Sequence, residues 1–323
     1  MLIRCGNSAQ LSETVLACNT GDDSLFSNIR ENTRRKLPII KVRRENSQPA
    51  VIVGGGASLL GTLESIIKLQ KDGAKVFALN NAARFLNERG IRPDAQIMVD
   101  PRPLNAEFVA EKYADEAYMA SQCHPDVVRQ AEKSGYKVML YHALIDDMDD
   151  HIYRGRFSKL LKAAHKRLPW RWIAKLAGEN IKMGGGITVG LTGLCLVHAL
   201  GHRQMHLFGY DSCHFENKSH AYRQDCNADD EMVRVAVKDR SFSASTAMAG
   251  QAHTFPDLCK MLENFGCTIE LYGDGLIQHI MKQVRHVPKV LTAVYDLGMC
   301  PPTYDFISFL AEAEKARIAQ GLD

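Results

Sequence analysis

Between residues 50 and 141 the chain alternates short apolar runs with segments of helical spacing, and this alternation constrains the fold more than any other feature. The first run, Ala50-Val51-Ile52-Val53, stops at Gly54-Gly55-Gly56; Leu59, Leu63, Ile66 and Ile67 then predict a helix over residues 59–69. Runs at 75–79, 95–99, 117–120 and 137–141 predict further strands, with helices at 82–89 and 125–134 between them. Strands and helices that alternate at this spacing join through right-handed crossovers, so the strands lie parallel in one sheet. The expected class is α/β, a Rossmann-like, mainly parallel sheet with helices on both faces.

The flanking segments break this regularity. Residues 1–48 are polar and carry a basic run (Arg34, Arg35, Lys36, Lys41, Arg43 and Arg44), which predicts an irregular N-terminal arm. Around residues 146–182 an acidic stretch gives way to a basic one holding Trp170 and Trp172, the pattern of an inserted lid. Regularity resumes at Gly184-Gly185-Gly186, with a helix at 189–200 and a strand at 204–208 that ends in Gly209-Tyr210-Asp211. A helix at 254–266 and a strand at 268–272 follow, then a C-terminal helix at 304–320. The domain reading is an arm over 1–48, a Rossmann-like domain over 49–285 and a helical extension over 286–323.

The formal net charge of +3 across 323 residues gives no bulk electrostatic sign of a nucleic-acid or membrane partner. The nine cysteines form no C-x-x-C pair, as in reduced cytoplasmic proteins. Cys213, His214, His220 and Cys226 match no zinc spacing, so no metal ligand set is assigned.

A strand that delivers glycines into a helix start offers backbone N–H groups to an anion. Gly54, Gly55, Gly56 and Ser58 are therefore candidate phosphate contacts, and Gly185, Gly186 and Thr188 form a second loop of the same kind. The first loop is neither a dinucleotide fingerprint nor a P-loop. Leu59 stands where the fingerprint needs its third small residue, and no Gly-Lys-Ser/Thr follows. Asn80 and Asn81 close the second strand and can read a base or ribose; Asp100 and Asp211 close later strands and can hold a sugar hydroxyl or Mg2+. His214, His220 and His253, each after a loop or strand-end signal, are the candidates for proton transfer.

The ordered set Val51-Ile52-Val53-Gly54-Gly55-Gly56-Ala57-Ser58-Leu59, Asn80-Asn81, Gly90-Ile91-Arg92-Pro93-Asp94 and Val99-Asp100-Pro101 resembles the MptE-like family. That family is named for 6-hydroxymethylpterin diphosphokinases and includes domains of motility accessory factor glycosyltransferases. The same order is similar to the bacterial family-42 sialyltransferases. Their Gly-Asn-Gly-Pro-Ser signature matches here in its glycines and serine, while Gly55 and Ala57 replace its Asn and Pro. This second resemblance implies that Tyr222 contacts the leaving phosphate and that His253, before a helix, is the general base, with His220 the next candidate.

The resemblances imply a nucleotide-dependent transferase, foremost a glycosyltransferase using a nucleotide-sugar donor. The alternatives are an ATP- and Mg2+-dependent diphosphokinase and a nucleotide-binding module without chemistry. The expected partner is a small-molecule nucleotide; the acceptor is unassigned, and a homo-oligomer is left open.

Overall fold

A computed structural model describes residues 20–143, 188–215, 218–224, 230, 232–238 and 240–286. The expected lid, the loop Gly184-Gly185-Gly186 and the helix at 304–320 lie outside the described residues. The chain divides into one unit over Met1–Ile280 and another over Met281–Asp323. The whole of the sheet belongs to the first unit.

Seven strands make the sheet: β1 (Ala50–Val53), β2 (Lys75–Leu79), β3 (Ala95–Met98), β4 (Glu116–Ala120), β5 (Lys137–Tyr141), β6 (Gln204–Phe208) and β9 (Thr268–Leu271), in the order β5-β4-β3-β2-β1-β6-β9. All six neighbouring pairs are parallel. The chain lays β2 to β5 outward on one side of β1, then returns to place β6 on its other side. The order therefore reverses at β1, and the crevice beyond its carboxyl end is where open α/β sheets bind ligands.

The sequence explains the layers. β1 is buried at every position, as a strand covered on both faces must be. On one face Val51, Val53, Val76 and Ala78 pack with Ile66 of α2 (Leu63–Lys71) and with Phe85 and Leu86 of α3 (Ala82–Asn87). The other face is covered by α5 (Val189–Ala199), buried throughout residues 190–197. Gly193 lets α5 come close, since a Cβ there would lie 3.0 Å from a Leu79 methyl.

Four elements differ from the sequence expectations. The arm holds a helix, α1 (Asp22–Arg34), whose buried Asn28 and Asn32 donate to the carbonyls of Pro101, Ser121, Gln122 and Cys123. After the glycines the chain first makes a five-residue 3-10 turn, Ala57–Gly61, and α2 begins only at Leu63. A hairpin of β7 (Met232–Val237) and β8 (Arg240–Ser245) forms between residues 211 and 254, where no element is expected. Finally α6 (Thr246–Asn264) starts eight residues earlier than expected, because the Ser245 side chain accepts from the Met248 N–H at 3.3 Å and caps it there. The remaining helices are α4 (Pro125–Lys133) and α7 (Leu276–His286). No helix among the described residues is long and apolar enough to cross a membrane.

Candidate functional site at the carboxyl edge of the sheet

The carboxyl ends of β1 and β6 meet backbone to backbone. The Gly54 N–H donates to the Phe208 carbonyl at 2.8 Å and the Gly56 N–H to the Gly209 carbonyl at 2.9 Å. A Cβ on Gly54 would stand 2.6 Å from the Gly209 oxygen, and one on Gly56 would stand 2.5 Å from a carboxylate oxygen of Asp211. Gly209 itself has φ +65, where a side chain is strained. Both outer glycines of the loop are thus required by the approach of β6.

Asp211 fills the place expected for a ligand anion. Its two carboxylate oxygens accept from the Ser58 backbone N–H at 2.8 Å and the Ser58 hydroxyl at 2.5 Å. Its own carbonyl accepts from the Leu276 N–H, at the start of α7, at 2.8 Å. The residue is fully buried, and burial raises its pKa against the opposing pull of the Ser58 hydrogen bonds. The expectation that Gly54, Gly56 and Ser58 cradle a phosphate is therefore corrected: their N–H groups already serve the Phe208 and Gly209 carbonyls and the Asp211 carboxylate.

Gly55 behaves differently. Its N–H has no partner among the described residues, and a Cβ there would meet His220 Cδ2 and Tyr222 Oη at 2.6 Å each. The Ala221 N–H donates to the Gly55 carbonyl at 2.9 Å and so pins these two rings over the loop. Phe85 lies 5.3 Å from Tyr222 between ring centroids, and the His220 and Tyr222 rings are 5.7 Å apart. The His220 Nδ1 is 2.8 Å from Ser219 Oγ. Burial, with a smaller contribution from His214, lowers the His220 pKa to about 4, so the ring is neutral at pH 7.

His253 is placed elsewhere. It is exposed in α6 and so does not precede that helix. Ala252, Phe255, Cys259 and Leu262 form the buried stripe, and at 100° per residue His253 projects from the opposite side. Gln251, on the inner side, donates to Ser212 Oγ at 2.9 Å and packs against Gly190. Thr188 caps α5 by accepting from the Leu191 N–H at 3.3 Å, and the Tyr210 hydroxyl donates to the Gly190 carbonyl at 3.1 Å, which sets this helix start beside the end of β6.

The neighbouring strand ends carry polar groups without partners. Asn80 has φ +48, and its Oδ1 and that of Asn81 are buried with no hydrogen bond among the described residues. Sequence reasoning missed a third such amide. Asn105, in the 3-10 segment Pro103–Val109, is 1% exposed, and neither its Nδ2 nor its Oδ1 is paired among the described residues. Gln96, fully buried on β3, links these segments: its Nε2 donates to the Asn80 carbonyl at 2.8 Å and the Phe108 carbonyl at 2.9 Å, while its Oε1 accepts from Tyr136 at 2.7 Å. The Asp100 carboxylate accepts from Arg102 Nε at 3.0 and 3.1 Å and from its Nη2 at 2.6 Å. Beside this pair Ser24 and Ser27 of α1, Pro101, Pro103 and His124 line a cavity of about 310 Å3.

Mg2+ does not fit the two aspartates expected to hold it. Asp211 spends both oxygens on Ser58, and Asp100 is held by Arg102 in a forked pair. Among the described residues no three His, Cys, Asp or Glu side chains gather as a metal site.

No curated protein sequence matches this chain. Among solved structures it is similar to a MAf glycosyltransferase from Magnetospirillum magneticum AMB-1, at a TM-score of 0.48 and 18% identity, over 82% of this chain and 41% of that one. The chain thus spans less than half the length of that neighbour. The family model described as "6-hydroxymethylpterin diphosphokinase MptE-like" matches residues 23–217, from α1 through β6 to the segment after Asp211 and without β9. With more than half of its length matched and the parallel sheet in place, the chain belongs to the MptE-like family.

Proposed function

We propose that this chain is a nucleotide-dependent transferase, foremost one that transfers a glycosyl group from a nucleotide-sugar donor bound across the carboxyl edge of β1 and β2. The observation that carries this reading is the stacking of Tyr222 and His220 on Gly55, at the point where strand order reverses. The Gly55 N–H and the Tyr222 hydroxyl are donors of the kind that stabilise charge building on a leaving phosphate. Asn80 and Asn81 then lie one strand away, toward the nucleoside. The cavity beside Arg102 leaves room for an acceptor at the far side.

His220 takes the general-base role in preference to His253, whose ring faces away from the sheet. A neutral imidazole is ready to accept the proton of an acceptor hydroxyl, and a phosphate anion bound beside it raises its basicity from the low value that burial sets. A glycosyl transfer also suits the state of Asp100 and Asp211, because hydrogen-bond donors can neutralise the leaving group without a carboxylate-held metal.

The family description favours a second reading, diphosphoryl transfer from ATP. Turnover of a nucleotide-sugar panel, compared with ATP plus Mg2+, separates the two. On the first reading a nucleotide-sugar is consumed, His220→Ala lowers turnover by about a hundredfold to ten-thousandfold, and His253→Ala leaves it unchanged. Consumption of ATP alone, dependent on Mg2+, selects the second reading. Binding without any turnover returns the chain to a nucleotide-binding module.

A further inference from the structure

Burying a polar amide without partners costs about 1–3 kcal/mol per group, so folded chains rarely leave one in place without a use for it. Among the described residues Asn105 finds a partner for neither half of its amide, at 1% exposure. Its setting is not loose. Gln96 ties the 3-10 segment that carries it, through the Phe108 carbonyl, to the Asn80 carbonyl, and holds that junction from a fully buried position on β3. Asn80 is itself kept in the left-handed region, a backbone state that a non-glycine residue occupies at a cost when the surroundings fix it. The unpaired oxygens of Asn80 and Asn81 therefore belong to the same fixed junction of β2 and β3.

We infer that Asn105 is a specificity-determining residue, the one that reads the base of the nucleotide proposed for this edge. The inference rests on that functional reading and adds the identity of the recognising group. A primary amide presents one donor beside one acceptor. It is satisfied as a unit by a planar edge that presents the converse pair, as nucleobases do; phosphate lacks the donor, and ribose 5-phosphate in the test below separates the base from the ribose hydroxyls. The amide is covered while Leu104 beside it is exposed, so on this inference the base gains access by displacing the Leu104 end of the 3-10 segment.

Asn105→Leu keeps the branching and approximate size of the side chain and removes both polar atoms. Two measurements on the full chain test the inference: thermal melting without ligand, and calorimetric titration with AMP, CMP, GMP, UMP and ribose 5-phosphate. The intact chain should prefer its best nucleotide over ribose 5-phosphate by about tenfold to a hundredfold, and Asn105→Leu should bind the two within about twofold. Without ligand the variant should melt about 2 °C or more above the parent, since an unpaired buried amide has been replaced by an apolar group. A variant that melts lower than the parent, or that keeps the preference for the nucleotide, overturns the role of Asn105 while leaving the functional reading intact. An intact chain that binds none of the four nucleotides overturns both.

Discussion

Two stretches at the same sheet edge, the glycine loop at 54–58 and the asparagine junction of β2 and β3, present opposite states of their polar groups. In the loop the N–H groups of Gly54, Gly56 and Ser58 all have partners, and the anion they surround is Asp211 of the protein itself. In the asparagine junction four buried side-chain atoms, on Asn80, Asn81 and Asn105, have none among the described residues. A glycine-rich strand end signals close approach of some group, and here the group is another strand. The unpaired amides are the features that folding leaves unexplained, so they carry more information about a ligand than the glycines do. Gly55 joins the two stretches: its neighbours are satisfied by the fold, but its own N–H points to nothing within the described residues.

Adding one methyl group at each of two adjacent glycines puts this contrast under the greatest strain. Gly56→Ala should destabilise the chain by about 3 kcal/mol or prevent folding, because the new Cβ would meet the Asp211 carboxylate at 2.5 Å and the Gly209 carbonyl at 2.8 Å, neither of which can move freely. Denaturant unfolding measures it. Asp211→Asn comes next, at about 2 kcal/mol, since an amide replaces one of the two acceptors that Ser58 uses in a buried site. Gly55→Ala should cost under about 1 kcal/mol, because the atoms it meets are the ends of two rotatable side chains, His220 and Tyr222. Equal losses at Gly55 and Gly56 would erase the distinction between an inward and an outward glycine.

Acid should act through the buried histidines. Burial lowers His220 and His142 to about 4, so the folded chain binds fewer protons than the unfolded one between that value and the ordinary histidine range. Their contribution to stability is present above about pH 6.5 and is lost as pH falls toward 4. His220→Phe should flatten part of this slope in melting experiments across that window.

The sheet is legible in the sequence because a buried parallel strand needs an unbroken apolar run, and Ala50-Val51-Ile52-Val53 and its successors supply one each. The role of the glycines is not, because Asp211, which fills the loop, lies 153 residues beyond Ser58 in the chain. The hairpin does leave a sequence signal: buried Phe242 and Ala244 alternate with exposed Ser241 and Ser243, a period of two that is faint because three of the four side chains are small. For α1 the local pattern conceals the reason for burial. Asn28 and Asn32 look like surface residues until the carbonyls of the loops after β3 and β4 are there to receive their amides. The position of His253 escapes sequence reasoning for a simpler cause, the cap at Ser245, which starts α6 early and turns that histidine outward.

The proposed function stands or falls on whether the outward side of Gly55, beneath His220 and Tyr222, receives a nucleotide phosphate. Calorimetric titration of Gly55→Ala, folded to within about 1 kcal/mol of the parent, with the nucleotide that the parent binds best tests it directly. A loss of affinity of about tenfold or more is expected, because the added methyl displaces the two rings and covers the N–H. An unchanged affinity in the folded variant would contradict phosphate binding there and return the whole loop to the internal packing of β1 against β6.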